Sequence, residues 1–174
     1  MRILAILLGV CLGLGFSGCS SSTPHGTMDS TGAPSIGVVS PDSGSGKTQT
    51  FTSTYADPAG AQNVIAAFLL IEKTATGINS CFLEYNSRDK TVNLMTDAGK
   101  WQTAVAAGSS SALANTQCSV DASGVRGTVD GNTLTVNLPI TFSSAYAGPK
   151  RIFLSASGAT KATPWIDKGS WIIP

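Results

Sequence analysis

The residues from which chemistry would have to be built are few. Glu72 and Glu84 are the only glutamates, and Asp57, Asp97 and Asp130 all stand in turn contexts. Glycoside hydrolysis would need two carboxylates facing one another across a bond. Aspartates at Asp57-Pro58-Ala59-Gly60 and Asp97-Ala98-Gly99 are more simply turn formers, because their side chains accept hydrogen bonds from the backbone two residues on. Neither lies in the spaced oxygen-ligand loop that calcium requires. His25 is the one histidine and sits in a stretch of Ser, Thr, Gly and Pro, so no base is at hand for a nucleophile. Gly46-Lys47-Thr48 suggests a phosphate loop, but Pro41 occupies the position of the first glycine and an alternating, β-branched run follows where a helix is needed. The residues therefore predict no catalytic site, no metal and no cofactor. Flat rings remain: Trp101, Trp165 and Tyr85 could stack on sugars, whereas Trp171, in the last strand, is expected in the core.

Composition narrows the field further. Of 174 residues only 12% are charged, 11 basic against 10 acidic. A nucleic-acid partner would need a basic face and a nucleotide would need a phosphate cradle, so neither is expected. Scarce glutamate and abundant Gly, Ser and Thr favour strands and turns over long helices.

The N-terminus carries an address. Met1-Arg2 precedes the apolar run ILAILLGVCLGLGF and then Ser17-Gly18-Cys19, the layout of an export signal. The run is short for a membrane span. Its end resembles a bacterial lipobox, with Ser17 and Gly18 in the small positions before Cys19 and Phe16 where Leu is usual. That resemblance implies removal of residues 1–18 and lipidation of Cys19, with Cys11 discarded. Several acyl chains at about 0.8 kcal/mol per buried CH₂ anchor far better than one. Ser20 after the cysteine points to the outer membrane or cell surface of a bacterium, so the membrane is a partner through Cys19. Residues 19–35 then read as a flexible tether that cannot bury enough apolar surface to order itself. Such a coil would hold the domain roughly 20 Å from the bilayer.

Residues 36–174 read as one all-β domain. Thr48–Tyr55 alternates, Asp57–Gly60 reverses the chain, and Val64–Ile71 is apolar on both faces, which suggests a strand–turn–strand hairpin ending in a buried central strand. A helical turn is expected near Ala61–Val64, and Phe68 is expected in the core. Cys81–Tyr85 and Thr91–Met95 form a second hairpin across Asn86–Asp89. Leu134, Val136, Leu138, Ile140 and Phe142 share one face of the clearest strand, with Pro139 on the other face marking an edge or a bend. Arg151–Ala156 and Ser170–Ile173 add two more strands, and Pro41–Gly46 reads as a loop. Eight or nine short strands predict an antiparallel sandwich. Once Cys11 is removed and Cys19 is lipidated, only Cys81 and Cys118 remain to pair in an oxidising compartment, as a structural disulfide.

The segments TFTSTYADPAGAQNV, SCFLEYN, NLMTDAGKWQ, NTQCSV, GNTLTVNLPITFSSAYAGPKRIFLSASG and GSWIIP together resemble an immunoglobulin-like repeat of bacterial secreted and surface proteins. The resemblance covers nearly all of residues 36–174 and implies a sandwich displayed at the cell surface, with no active site to carry over. A non-catalytic structural, binding or adhesion domain is the function to expect, with a cell-surface protein or glycan as partner. A carbohydrate-binding module using Trp101, Trp165 and Tyr85 is the alternative.

Overall fold

The structure is a computed structural model that describes residues 32–174. The signal segment, Cys19, His25 and most of the tether lie outside the described residues.

Two sheets enclose one hydrophobic core. The first contains β1 (Ser35–Ser40), β3 (Thr48–Ala56), β8 (Ala112–Ala114), β9 (Cys118–Asp121), β10 (Arg126–Asp130) and β11 (Thr133–Phe142). The second contains β2 (Ser43–Ser45), β4 (Ala66–Glu72), β5 (Cys81–Asn86), β6 (Thr91–Leu94), β7 (Val105–Ala106), β12 (Gly148–Ser157) and β13 (Ile166–Ile173). Spatial order is β1-β3-β11-β9-β8 in the first, with β10 also on β11, and β2-β13-β12-β4-β5-β6-β7 in the second. Every pairing is antiparallel except β2 with β13. The all-β reading holds, and among the described residues helix is confined to three single 3-10 turns.

Alternation builds the first sheet. Phe51, Ser53 and Tyr55 of β3 turn inward, and Leu134, Val136, Leu138, Ile140 and Phe142 of β11 meet them in register, Leu138 opposite Phe51. Pro139 marks no edge, since β11 is flanked on both sides. It falls instead where the neighbouring chain is interrupted: β9 stops pairing at Ile140, β10 starts at Asn137, and the 3-10 turn Ala122–Gly124 bridges the gap. A residue without an N–H belongs at such a break in the ladder.

The expected hairpin of Thr48–Glu72 is not one. β3 pairs with β1 and β11, whereas β4 pairs with β12 and β5 in the other sheet. The Asp57–Gly60 turn and the 3-10 turn Ala61–Asn63 form a corner between layers. Asp57, buried, accepts from Ala59 N at 2.9 Å, and Gly60 N donates to the Asp57 carbonyl at 2.9 Å. The physical reason lies in β4. A strand apolar on both faces is best covered when it is central, and beside β3 it would have left one face in water.

Pro41–Gly46 also differs from expectation, because β2 lies within it and runs parallel to β13. No side-chain pattern could announce a Ser-Gly-Ser strand. Trp171 holds it: the indole Nε1 donates to the Gly46 carbonyl at 2.8 Å, and a Cβ on Gly44 would sit 2.6 Å from the ring. Gly44 has φ +149°, outside the range of most side chains. Strand and clash combine, so Gly44→Val is expected to lower the unfolding free energy by about 1–3 kcal/mol in urea titration.

Cys81 of β5 and Cys118 of β9 form a disulfide with Cα atoms 5.6 Å apart, joining the two sheets. Both cysteines are buried.

Candidate functional site

The outer face of the second sheet carries the site. Along β4 the inward residues Ala67, Leu69 and Ile71 join the main core, so Phe68 and Leu70 point outward. Register sets their neighbours: Phe68 lies opposite Glu84 of β5, Leu70 opposite Phe82, and Glu84 opposite Asn93 of β6. Phe68 is therefore half-buried on the outer face and not in the core, a correction that follows from the pleat of β4.

Two tryptophans from connecting segments lie over these strands. Trp101 bridges to Met95 just beyond β6, and Trp165 precedes β13. Trp101 stacks on Phe68 at 6.4 Å with 22° between planes and meets Phe82 edge-on at 4.8 Å. Trp165 contacts the same two rings, 6.3 Å from Phe68 and 5.2 Å from Phe82. Leu70, opposite Phe82 and Phe153 in the ladder, is fully buried despite facing away from the core. Trp101 is 38% exposed and Trp165 is half-buried. Trp165 is tilted 60° to Phe68, whereas Trp101 is within 22° of it, so the two indoles cannot be coplanar. A flat two-ring platform for a polysaccharide strand is not formed. Trp101 is the more exposed of the two indoles.

Tyr85 leaves this set. It alternates with Glu84 on β5, points into the core at 3% exposure, and burial raises its hydroxyl pKa. A Cβ on Gly127 would lie 2.1 Å from its oxygen, so that glycine lets β10 pass the phenol. Trp171 is core as expected, edge-on to Phe51 at 5.3 Å.

A polar groove of about 180 Å³ opens on the same outer face, lined by Glu84, Asn86, Asp89, Thr91, Asn93 and Ala104. Asn86 Oδ1 is already used, accepting from Arg88 N at 3.0 Å and Asp89 N at 3.1 Å in the hairpin turn. Asn93 Oδ1 is buried without a donor. The salt bridges among the described residues are Lys150–Glu72 and Arg151–Asp167, so Glu84 has no cationic partner there. Burial raises its carboxyl pKa. An unpaired, partly desolvated carboxylate beside a groove is a candidate functional group. Composition concealed this groove; the only signal in the sequence is the outward alternation of Glu84 and Asn86 with Asn93.

A raised carboxyl pKa means that the folded chain binds its proton more tightly than the unfolded chain. Glu84 therefore costs no stability below its ordinary pKa, the cost grows as pH rises from that ordinary value toward the folded one, and it is complete above the folded value. Glu84→Gln is expected to raise Tm at pH 7, with the gain vanishing by about pH 4. Thermal melts at the two pH values check the sign.

Glu72 belongs to another environment. Its Oε2 accepts from the Tyr146 hydroxyl at 2.6 Å, and Lys150 Nζ lies 3.8 Å from Oε1 and 3.6 Å from the Tyr146 ring centroid. Burial lowers the Lys150 pKa against the pull of Glu72. This cluster ties the corner between β11 and β12 to the end of β4. Ile71 pairs with Cys81, so Glu72 and Glu84 are about four residues apart along the β4–β5 pair. That is roughly 13 Å between Cα atoms at 3.4 Å per residue, wider than the carboxylate spacings of glycosidases. Among the described residues no group of three or more His, Cys, Asp or Glu is placed to hold a metal ion. Asp57 serves its turn as expected, whereas the Asp97 carboxylate bonds out of its turn, accepting from Thr116 N at 3.3 Å, and Thr96 with Gly99 and Lys100 closes that turn instead.

No protein-family model, curated protein or solved structure matches the chain.

Proposed function

We propose that this protein is a bacterial surface lipoprotein, lipidated at Cys19, whose immunoglobulin-like sandwich is a non-catalytic binding domain. The recognition surface is the outer face of the second sheet. One observation carries the choice of binding over a purely structural role: half-exposed Trp101 stacks on Phe68, and Phe68 pairs with Glu84, a groove-lining carboxylate with no cationic partner among the described residues. A face serving only to cover a sheet gains nothing from a desolvated, unpaired charge.

Two measurements test the reading. Cells expressing the chain and labelled with a fatty-acid analogue should yield a lipidated protein that disappears with Cys19→Ser. Immobilised lipoprotein should retain material from cell-surface glycan and protein fractions, and Trp101→Ala should abolish retention while the melt stays cooperative. Retention unchanged by Trp101→Ala would place recognition elsewhere.

A further inference from the structure

We infer that the groove beside Trp101 is a subsite for one pyranose ring bearing a free amine. This rests on the reading of the outer face as the recognition surface and names its ligand class. Size comes first. At about 180 Å³ the groove is smaller than the pockets that enclose drug-sized ligands. It suits a single ring with the rest of a glycan running out into solvent.

Donor–acceptor balance comes next. Glu84 and Asp89 bring carboxylates to the lining, Asn86, Thr91 and Asn93 add neutral groups that can donate as well as accept, and no Lys or Arg lines the groove. The formal charges of the lining are therefore all negative. A ligand with a cationic donor gains most there, because charge-assisted bonds are about twice as strong as neutral ones. An acidic sugar would set carboxylate against carboxylate.

Rings that adjoin Glu84 along the ladder, outside the lining of the groove itself, supply the remaining specificity. Phe68 lies opposite Glu84 in the ladder, Phe82 is two residues from it on the same strand face, and Trp101 packs on both rings. The apolar C–H face of a pyranose can lie against the exposed indole while its amine reaches Glu84. Trp101 also favours a cation nearby through its ring quadrupole. An aliphatic amine would use the carboxylates and leave the ring face empty, so ring and charge together define the class.

The test is calorimetric titration of the full chain in detergent micelles with glucosamine, glucose, glucuronate and cadaverine. Glucosamine should bind at least tenfold more tightly than glucose, with glucuronate and cadaverine weaker still. Glu84→Gln should remove the preference for glucosamine over glucose, and Trp101→Ala should weaken both sugars about tenfold or more. Equal binding of glucose and glucosamine, binding of glucuronate, or cadaverine matching glucosamine would each overturn the assignment. If no sugar binds but cell-surface material is still retained through Trp101, the ligand class is wrong and the recognition face stands. If Trp101→Ala affects neither experiment, both fail.

Discussion

Replacing Cys81 and Cys118 together with alanine is expected to lower the unfolding free energy by about 4 kcal/mol, the entropy of closing a loop of this length in the unfolded chain. The two residues are 37 apart in sequence. The bond also ties β5 of one sheet to β9 of the other, near the start of a poorly patterned stretch. Between Ala112 and Asp130 the chain forms two very short strands, a 3-10 turn and an edge strand with every residue exposed. That region has little apolar surface of its own, so losing the tie should be felt there first. Urea titration of wild type and the double variant measures the difference, and hydrogen exchange should show amides of β8 to β10 losing protection before those of β4. A change under about 1 kcal/mol would mean that packing alone fixes β9 against β5.

Leu69→Asp is expected to abolish cooperative folding, whereas Phe68→Asp should leave a folded domain. The residues are adjacent on β4 and comparably apolar, but Leu69 is fully buried inside the core and Phe68 is half-buried outside it. An unpaired carboxylate in the core has no cation and no water to stabilise it. On the outer face aspartate can reach solvent, at the cost of the ring contacts to Trp101, Phe82 and Trp165. Leu69→Ala, a milder probe, should cost about 2–5 kcal/mol. Circular dichroism melts separate the cases. Loss of the transition in both aspartate variants would show the four-ring cluster to be a second structural core.

That contrast also shows how much was legible in the sequence. The run Val64–Ile71 reads as a buried strand, and it is one. Its two faces cannot be told apart when both are apolar, so assignment of Phe68 to the core had no side-chain pattern to rest on. Trp101 and Trp165 could be singled out as ring surfaces in turn-rich segments, but that both land on Phe68 and Phe82 depends on long-range pairing. Trp165 arrives from the end of the chain beside β13, and Trp101 from beyond β6. Clear alternation made β11 legible in full. Strands with no apolar face, such as β2 and β10, left nothing to read, being held by Trp171 and by the ladder of β11. The Asp57 turn was legible as a turn, yet its destination in the opposite sheet was not, because turn chemistry is local and sheet membership is decided by what β4 must bury.

The opposite surface gives the site its control. The outer face of the first sheet is a field of threonines, with Thr128, Thr135 and Thr54 in register across three strands. Its strands turn no aromatic side chain to that face among the described residues. Backbone and side-chain NMR of the labelled chain, titrated with glucosamine and its short oligomers, therefore tests the central claim most directly. Shifts confined to Trp101, Glu84, Asn93 and their neighbours on β5 and β6 are the predicted result. Shifts centred on the threonine face, or spread without focus over both sheets, would contradict it.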